Sequence, residues 1–121
     1  MMTLHKIAIP ILGEEIVPRF DLTTEVIILT TVNASDIQDK KIIVLPRSSS
    51  DELCHTLLAQ DINTLICGAI EDEYYEFLKW KKIKVFDGVS GAWASAFKRW
   101  QTQTLNPGDI LFTRMVEGNF I

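Results

Sequence analysis

The stretch "KKIIVLPRSSSDELCHTLLAQD", residues 40 to 61, changes its period half-way along. Residues 40–46 are a short run rich in Ile and Val, closed by Pro46; this suits a strand, because proline cannot donate to a ladder. The second half carries Leu53, Cys54, Leu57 and Leu58 at helical spacing, and Ser49 with Glu52 three residues later fits a capping box. Upstream lie two more runs of strand composition, "KIAIPIL" (6–12) and "EVIILTTV" (25–32), with no helix between them. The second is apolar enough to be buried on both faces. Downstream, strands and helices alternate. "NTLICGAI" (63–70) and "IKVFDGV" (83–89) read as strands. "EDEYYEFLKWKK" reads as a helix with acids in its first turn and lysines in its last, as the macrodipole favours. "SGAWASAFKRWQT" reads as a third helix, capped by Ser90, with Trp93, Phe97 and Trp100 on one face.

This order predicts an α/β fold with a mixed five-stranded sheet. The first three strands meander antiparallel, and the later ones pair parallel through right-handed crossovers, with helices packed on the sheet. The remaining segment, "TLNPGDILFTRMVEGNFI", turns at Asn106-Pro107-Gly108 and continues as an apolar run from Ile110 to Val116. It is expected either as an extra strand on an edge of the same sheet or as a strand exchanged with a second protomer, giving a homodimer through residues 109–116.

A chain of 121 residues is the size of one domain, and its 47% hydrophobic and 23% charged residues are globular values. A formal charge of -4 and the lack of a Lys/Arg cluster argue against a nucleic-acid partner. The longest basic run, Lys79 with Lys81 and Lys82, is broken by Trp80 and reads as a solvated helix end. No apolar run approaches the ~18 residues of a membrane helix. Cys54 and Cys67 are too few for a disulfide framework and lack the paired spacing of a zinc site. With no signal-peptide pattern at the N-terminus, the expectation is a cytoplasmic protein with reduced thiols.

Five motifs in order carry a resemblance: "KIAIP" (6–10), Gly13 followed by "IVPRFD" (16–21), "ELC" (52–54), "NTLICGAI" (63–70) and "IKVFDGVSG" (83–91). Together they resemble the dinitrogenase iron-molybdenum cofactor biosynthesis family, small domains with a ribonuclease H-like fold. The likeness spans residues 4 to about 103, which implies a domain over 1–103 and a C-terminal extension over 104–121. It further implies a non-enzymatic carrier of an iron-molybdenum or iron-sulfur cluster, working with cofactor-assembly proteins. The family motif commonly reads Ser-Pro-His-Phe-Asp, with the histidine as the plausible cofactor ligand. Here the matching residues are Val17, Pro18, Arg19, Phe20 and Asp21, so arginine replaces histidine. A guanidinium cannot ligate iron, but it can clamp a carboxylate or phosphate.

In an open α/β sheet, ligands bind beyond the carboxyl ends of the parallel strands. The loops holding Arg19, Arg47, Gly68 and Gly88 then share one edge. An anion site there would draw charge from Arg19 and Arg47 and free N–H groups from the helix starts near Ser50 and Ser90. Gly88 and Gly91 would give it close backbone approach. The bland alternative pairs Arg19 with Asp21 or Asp87 as a structural clamp and leaves the glycines to turn the chain. Glu71, Asp72 and Glu73 crowd the next helix start and compete for the dipole an anion would use. The ligand-binding candidates are therefore Arg19, Asp21, Arg47, Gly68, Asp87, Gly88 and Ser90. Cys67, at the end of a strand, is the candidate metal ligand, against the alternative of a core thiol. Phe20 is expected under the loop as a core plug, and Trp80, Trp93, Trp100, Tyr74 and Tyr75 as helix-to-sheet packing.

Two other classes stand beside the carrier. One is a protein-interaction or regulatory module with no cofactor. The other is a metal-dependent ribonuclease H-like enzyme, which needs several carboxylates around two divalent ions; "HKIAIPIL" supplies none.

Overall fold

A computed structural model describes residues 3–111. The strands are β1 (Leu4–Leu12), β2 (Glu15–Ile16), β3 (Glu25–Val32), β4 (Asp36–Val44), β5 (Thr64–Ile66), β6 (Lys84–Phe86), β7 (Ser90–Gly91) and β8 (Ile110–Leu111). The helices are α1 (Ser50–Ala59), α2 (Asp72–Trp80) and α3 (Trp93–Gln101), with a single 3-10 turn at Phe20–Leu22. The main sheet runs β4-β3-β1-β5-β6, with β2 folded back on β1. β1, β3 and β4 pair antiparallel, whereas β1, β5 and β6 pair parallel. The mixed α/β architecture expected from the period change at residue 46 is present.

β1 and β3 sit in the middle of the sheet, and their alternation divides the core in two. Ala8, Val26 and Ile28 point to the layer containing α1 and α2, where Leu53, Leu57 and Leu78 meet them. Ile7, Ile9, Ile27 and Leu29 point to the other side and are covered by Ala96 and Phe97 of α3, with Trp93 and Trp100 alongside. A strand buried on both faces must be apolar at consecutive positions, which is why "EVIIL" shows no alternation. Helix α1 starts with the serine half of the capping box: the Glu52 N–H donates to Ser49 Oγ at 3.2 Å, while the Glu52 carboxylate faces Arg47 at 3.9 Å.

Several expectations need correction. The third strand begins at Asp36, not residue 40, because a register shift opposite Thr30 and Thr31 lets it continue through polar residues at the sheet edge. The hairpin strand β2 was not foreseen; a turn at Gly13, with φ +63°, pairs Leu12 with Glu15. Ser90 does not cap the third helix, which starts at Trp93 with Ala92 as N-cap and no side-chain cap bond. Ile110 and Leu111 do not extend the main sheet; they form a two-residue parallel ladder with Ser90 and Gly91. The rest of the expected exchange strand, 112–116, lies outside the described residues. Trp80 is not packing: it is 72% exposed at the end of α2.

Candidate functional site

The segment between β2 and the 3-10 turn is tied to the sheet by backbone bonds. Val17 N–H donates to the Pro10 carbonyl at 3.1 Å. Ala69 N–H donates to Pro18 O, and Phe20 N–H to Ala69 O, each at 2.8 Å. Arg19 is thereby bridged to Ala69, just past the carboxyl end of β5. Gly68 permits this approach, since a β-carbon there would lie 2.4 Å from the Pro18 oxygen. Phe20 anchors the turn from beneath; it is 2% exposed and packs in the α1/α2 core.

Arg19, Phe20, Asp21, Ser50, Ala69, Ile70 and Glu71 line a hollow of about 210 Å³. At its rim the Arg19 guanidinium is gripped from the side: Nε donates to Asp21 Oδ1 at 3.1 Å and Nη2 to Oδ2 at 2.7 Å. That hydrogen bond and the adjacent negative charge raise the Arg19 pKa, with Glu71 adding to the effect. The Arg19 donors hold the Asp21 carboxyl below its ordinary range. Both of the aspartate's oxygens are used, so Asp21 orients Arg19. Nη1 has no hydrogen-bond partner among the described residues, and the side chain is 61% exposed. A side-on clamp leaves the outer edge of a guanidinium open to a second planar or tetrahedral anion.

The remaining candidates are not gathered there. Arg47 stands 3.9 Å from Glu52 and is 76% exposed; it does not line the hollow. Asp87, Gly88 and Ser90 belong to a backbone zipper. Gly88 N–H donates to Gly68 O at 2.9 Å, Gly108 N–H to Asp87 O at 2.8 Å, and Ser90 N–H to Asp109 O at 3.0 Å. A β-carbon at Gly91 would overlap the backbone of Leu111, whereas one at Gly88 would only touch that of Gly108, 3.4 Å away, and Gly88 is needed for its φ of +69°. The glycines therefore mark close approach, but what approaches is another segment of the chain. Ala69 and Ile70 also line the hollow, and no local signal in their sequence marks them; only the pairing of residues 18–20 with 69, distant in sequence, brings them in.

A resident metal cluster finds a poor ligand set here. Cys67 is fully buried in the α1/α2 core, and burial, with Asp87 nearby, pushes its thiol pKa far up. Cys54 is also buried, its thiol raised to about 11. Among the described residues no three His, Cys, Asp or Glu side chains group as a metal site. His55 is exposed on α1. His5 lies elsewhere, with Nε2 2.8 Å from Thr64 Oγ1 and its ring 4.9 Å from that of Trp100. No helix is long and apolar enough to cross a membrane among the described residues.

No family model and no curated protein matches the chain. Solved structures do share its fold. The crystal structure of PH0822 superposes with a TM-score of 0.75 at 15% identity, covering 84% of this chain and 93% of that one. A candidate dinitrogenase from Methanocaldococcus jannaschii gives 0.68 at 19% identity, covering 84% and 91%. A candidate NifB protein from Thermotoga, of the DUF35 family, gives 0.67 at 19% identity, covering 93% and 99%. At such identities the likeness is one of fold.

Proposed function

We propose that this chain is a non-enzymatic binding protein of ribonuclease H-like architecture that presents Arg19 to an anionic ligand at the carboxyl edge of its sheet. The observation that carries the reading is the side-on Arg19–Asp21 clamp, which orients the guanidinium and leaves its Nη1 edge beside the hollow without a partner among the described residues. The N-terminus of α1 contributes through Ser50, which lines the same hollow. The ligand is a small carboxylate or phosphate, or the anionic shell of an iron-molybdenum or iron-sulfur cluster. Such a cluster would be held through its charge by Arg19 and not by a bond from Cys67. The motif resemblance and the names of the fold neighbours support the cofactor part, with cofactor-assembly proteins as partners. An interaction module without a small ligand is the second reading, favoured by the exposed indole of Trp80.

The test is titration calorimetry with citrate and inorganic phosphate, together with retention of a synthetic iron-sulfur cluster through anaerobic gel filtration. Arg19→Ala should weaken anion binding at least about tenfold, the loss expected of one charge-assisted bidentate contact. Cys67→Ser should leave binding unchanged. Cluster retention lost only in the cysteine variant would sink the charge-recognition reading, as would equal anion binding by wild type and Arg19→Ala.

A further inference from the structure

β4 differs from every other strand of the sheet. Eight of its nine residues are exposed, and only Ile43 is partly covered. It ends the strand order, so its outer edge is unpaired among the described residues. The register with β3 assigns its faces. Ile37, Lys40, Ile42 and Val44 stand opposite Thr31, Leu29, Ile27 and Glu25 and share the α3 side. Asp36, Asp39, Lys41 and Ile43 stand opposite Val32, Thr30, Ile28 and Val26 on the other side. Helix α3 covers Ile27 and Leu29 but not the β4 row, where Ile37, Ile42 and Val44 are 52%, 53% and 68% exposed.

We propose that β4 pairs antiparallel with β4 of a second copy, about a two-fold axis at Lys40. This register sets Asp39 opposite the partner's Lys41 and Lys41 opposite the partner's Asp39, two cross-strand ion pairs on one face. Neither Asp39 nor Lys41 has an ion pair among the described residues. On the other face Ile42 comes level with the partner's Ile37–Gln38, where Gln38 is the extra residue of the register shift. Moving the axis one residue either way sets Asp39 against its own copy or Lys41 against its own copy, and both ion pairs are lost. Charged residues and a bulge are how edge strands avoid indiscriminate pairing; on β4 they leave this register charge-complementary. Its one directly opposed like-charge pair is Lys40 with the partner's Lys40; the like charges at 39 and 41 meet their own copies only on the longer diagonal. An axis perpendicular to the sheet reverses strand direction, so the two Arg19 hollows open at opposite edges of the joined sheet. Pairing is therefore independent of anion binding at Arg19.

The test is sedimentation equilibrium of the full chain from micromolar to millimolar concentration, with far-UV circular dichroism to verify that each variant is folded. Wild type should dimerise with concentration. Asp39→Lys and Lys41→Asp should each weaken the dimer about tenfold or more, because both symmetry-related pairs turn repulsive. The double exchange should restore it, and Lys40→Thr should tighten it. A wild type that stays monomeric throughout overturns the proposal. So does a dimer insensitive to the single exchanges, a folded double exchange that fails to recover, or a dimer broken instead by Ile110→Lys.

Discussion

A β-carbon at residue 68 would meet the carbonyl oxygens of Pro18 and Val17 at 2.4 and 2.6 Å. Both are backbone atoms, and the Pro18 oxygen is already committed to Ala69 N–H, so neither can move aside cheaply. Gly68→Ala should therefore cost about 1–3 kcal/mol in urea unfolding, the range for forcing atoms into a filled space. The need for a small residue could be read from "ICGAI"; the segment that presses on it could not, because it lies fifty residues upstream. Arg19 and Asp21 make the complementary case. Two residues apart, they were a foreseeable pair, and local chain geometry delivers it. Since the folded-state pKa of Asp21 is depressed, the pair's contribution is present above the unfolded carboxylate range and lost as pH falls through the lowered value. Both groups are exposed, so screening by water keeps that contribution small. An NMR titration should find the Asp21 carboxyl below the ordinary range in wild type and back within it in Arg19→Ala.

Two serines separate what an element's sequence can reveal from what it cannot. Ser49 has extended backbone, φ -164° and ψ 124°, and its hydroxyl takes the Glu52 N–H. Ser49→Ala should cost about 1 kcal/mol, seen as a lower urea midpoint at unchanged slope. Ser90 has equal composition in its favour, yet its backbone is drawn into the ladder with Ile110 before α3 can begin. Ser90→Ala should stay within about 0.5 kcal/mol of wild type. The serine cap was legible because its atoms lie within one helical turn. The β7–β8 ladder was not, because its partners are joined by a helix and a loop, and nothing in "SG" specifies "IL". Gly91 is needed there for the same reason as Gly68: it has φ +114°, and a β-carbon would overlap the Leu111 carbonyl.

At the scale of the whole molecule, the sheet is one wall shared by two cores. Leu78 is fully buried on the α1/α2 side, while Trp93 and Trp100 lie on the α3 side. Because β1 and β3 contribute alternate residues to both layers, the layers should melt together. Leu78→Ala, expected to cost about 2–5 kcal/mol and made with Trp80→Phe so that fluorescence reports Trp93 and Trp100 alone, should lower the unfolding midpoints of tryptophan fluorescence and far-UV circular dichroism equally. Separate transitions would show that the two layers are independent. The sequence by itself determined the strand and helix periods, the switch from meander to alternating units at Pro46 and the Ser49 cap of α1, and it offered Asp21 as one of two carboxylates for Arg19. Each of these depends on residues within a few positions of one another, where chain geometry is set by neighbours. Only the tertiary structure decided that Asp87, Gly88 and Ser90 close a backbone zipper and do not line the Arg19 hollow, that Cys67 is sealed in the core, and that β4 stands exposed at the edge. Those outcomes rest on contacts between distant segments, whose partners are selected by packing and loop closure and not by the local pattern of either segment.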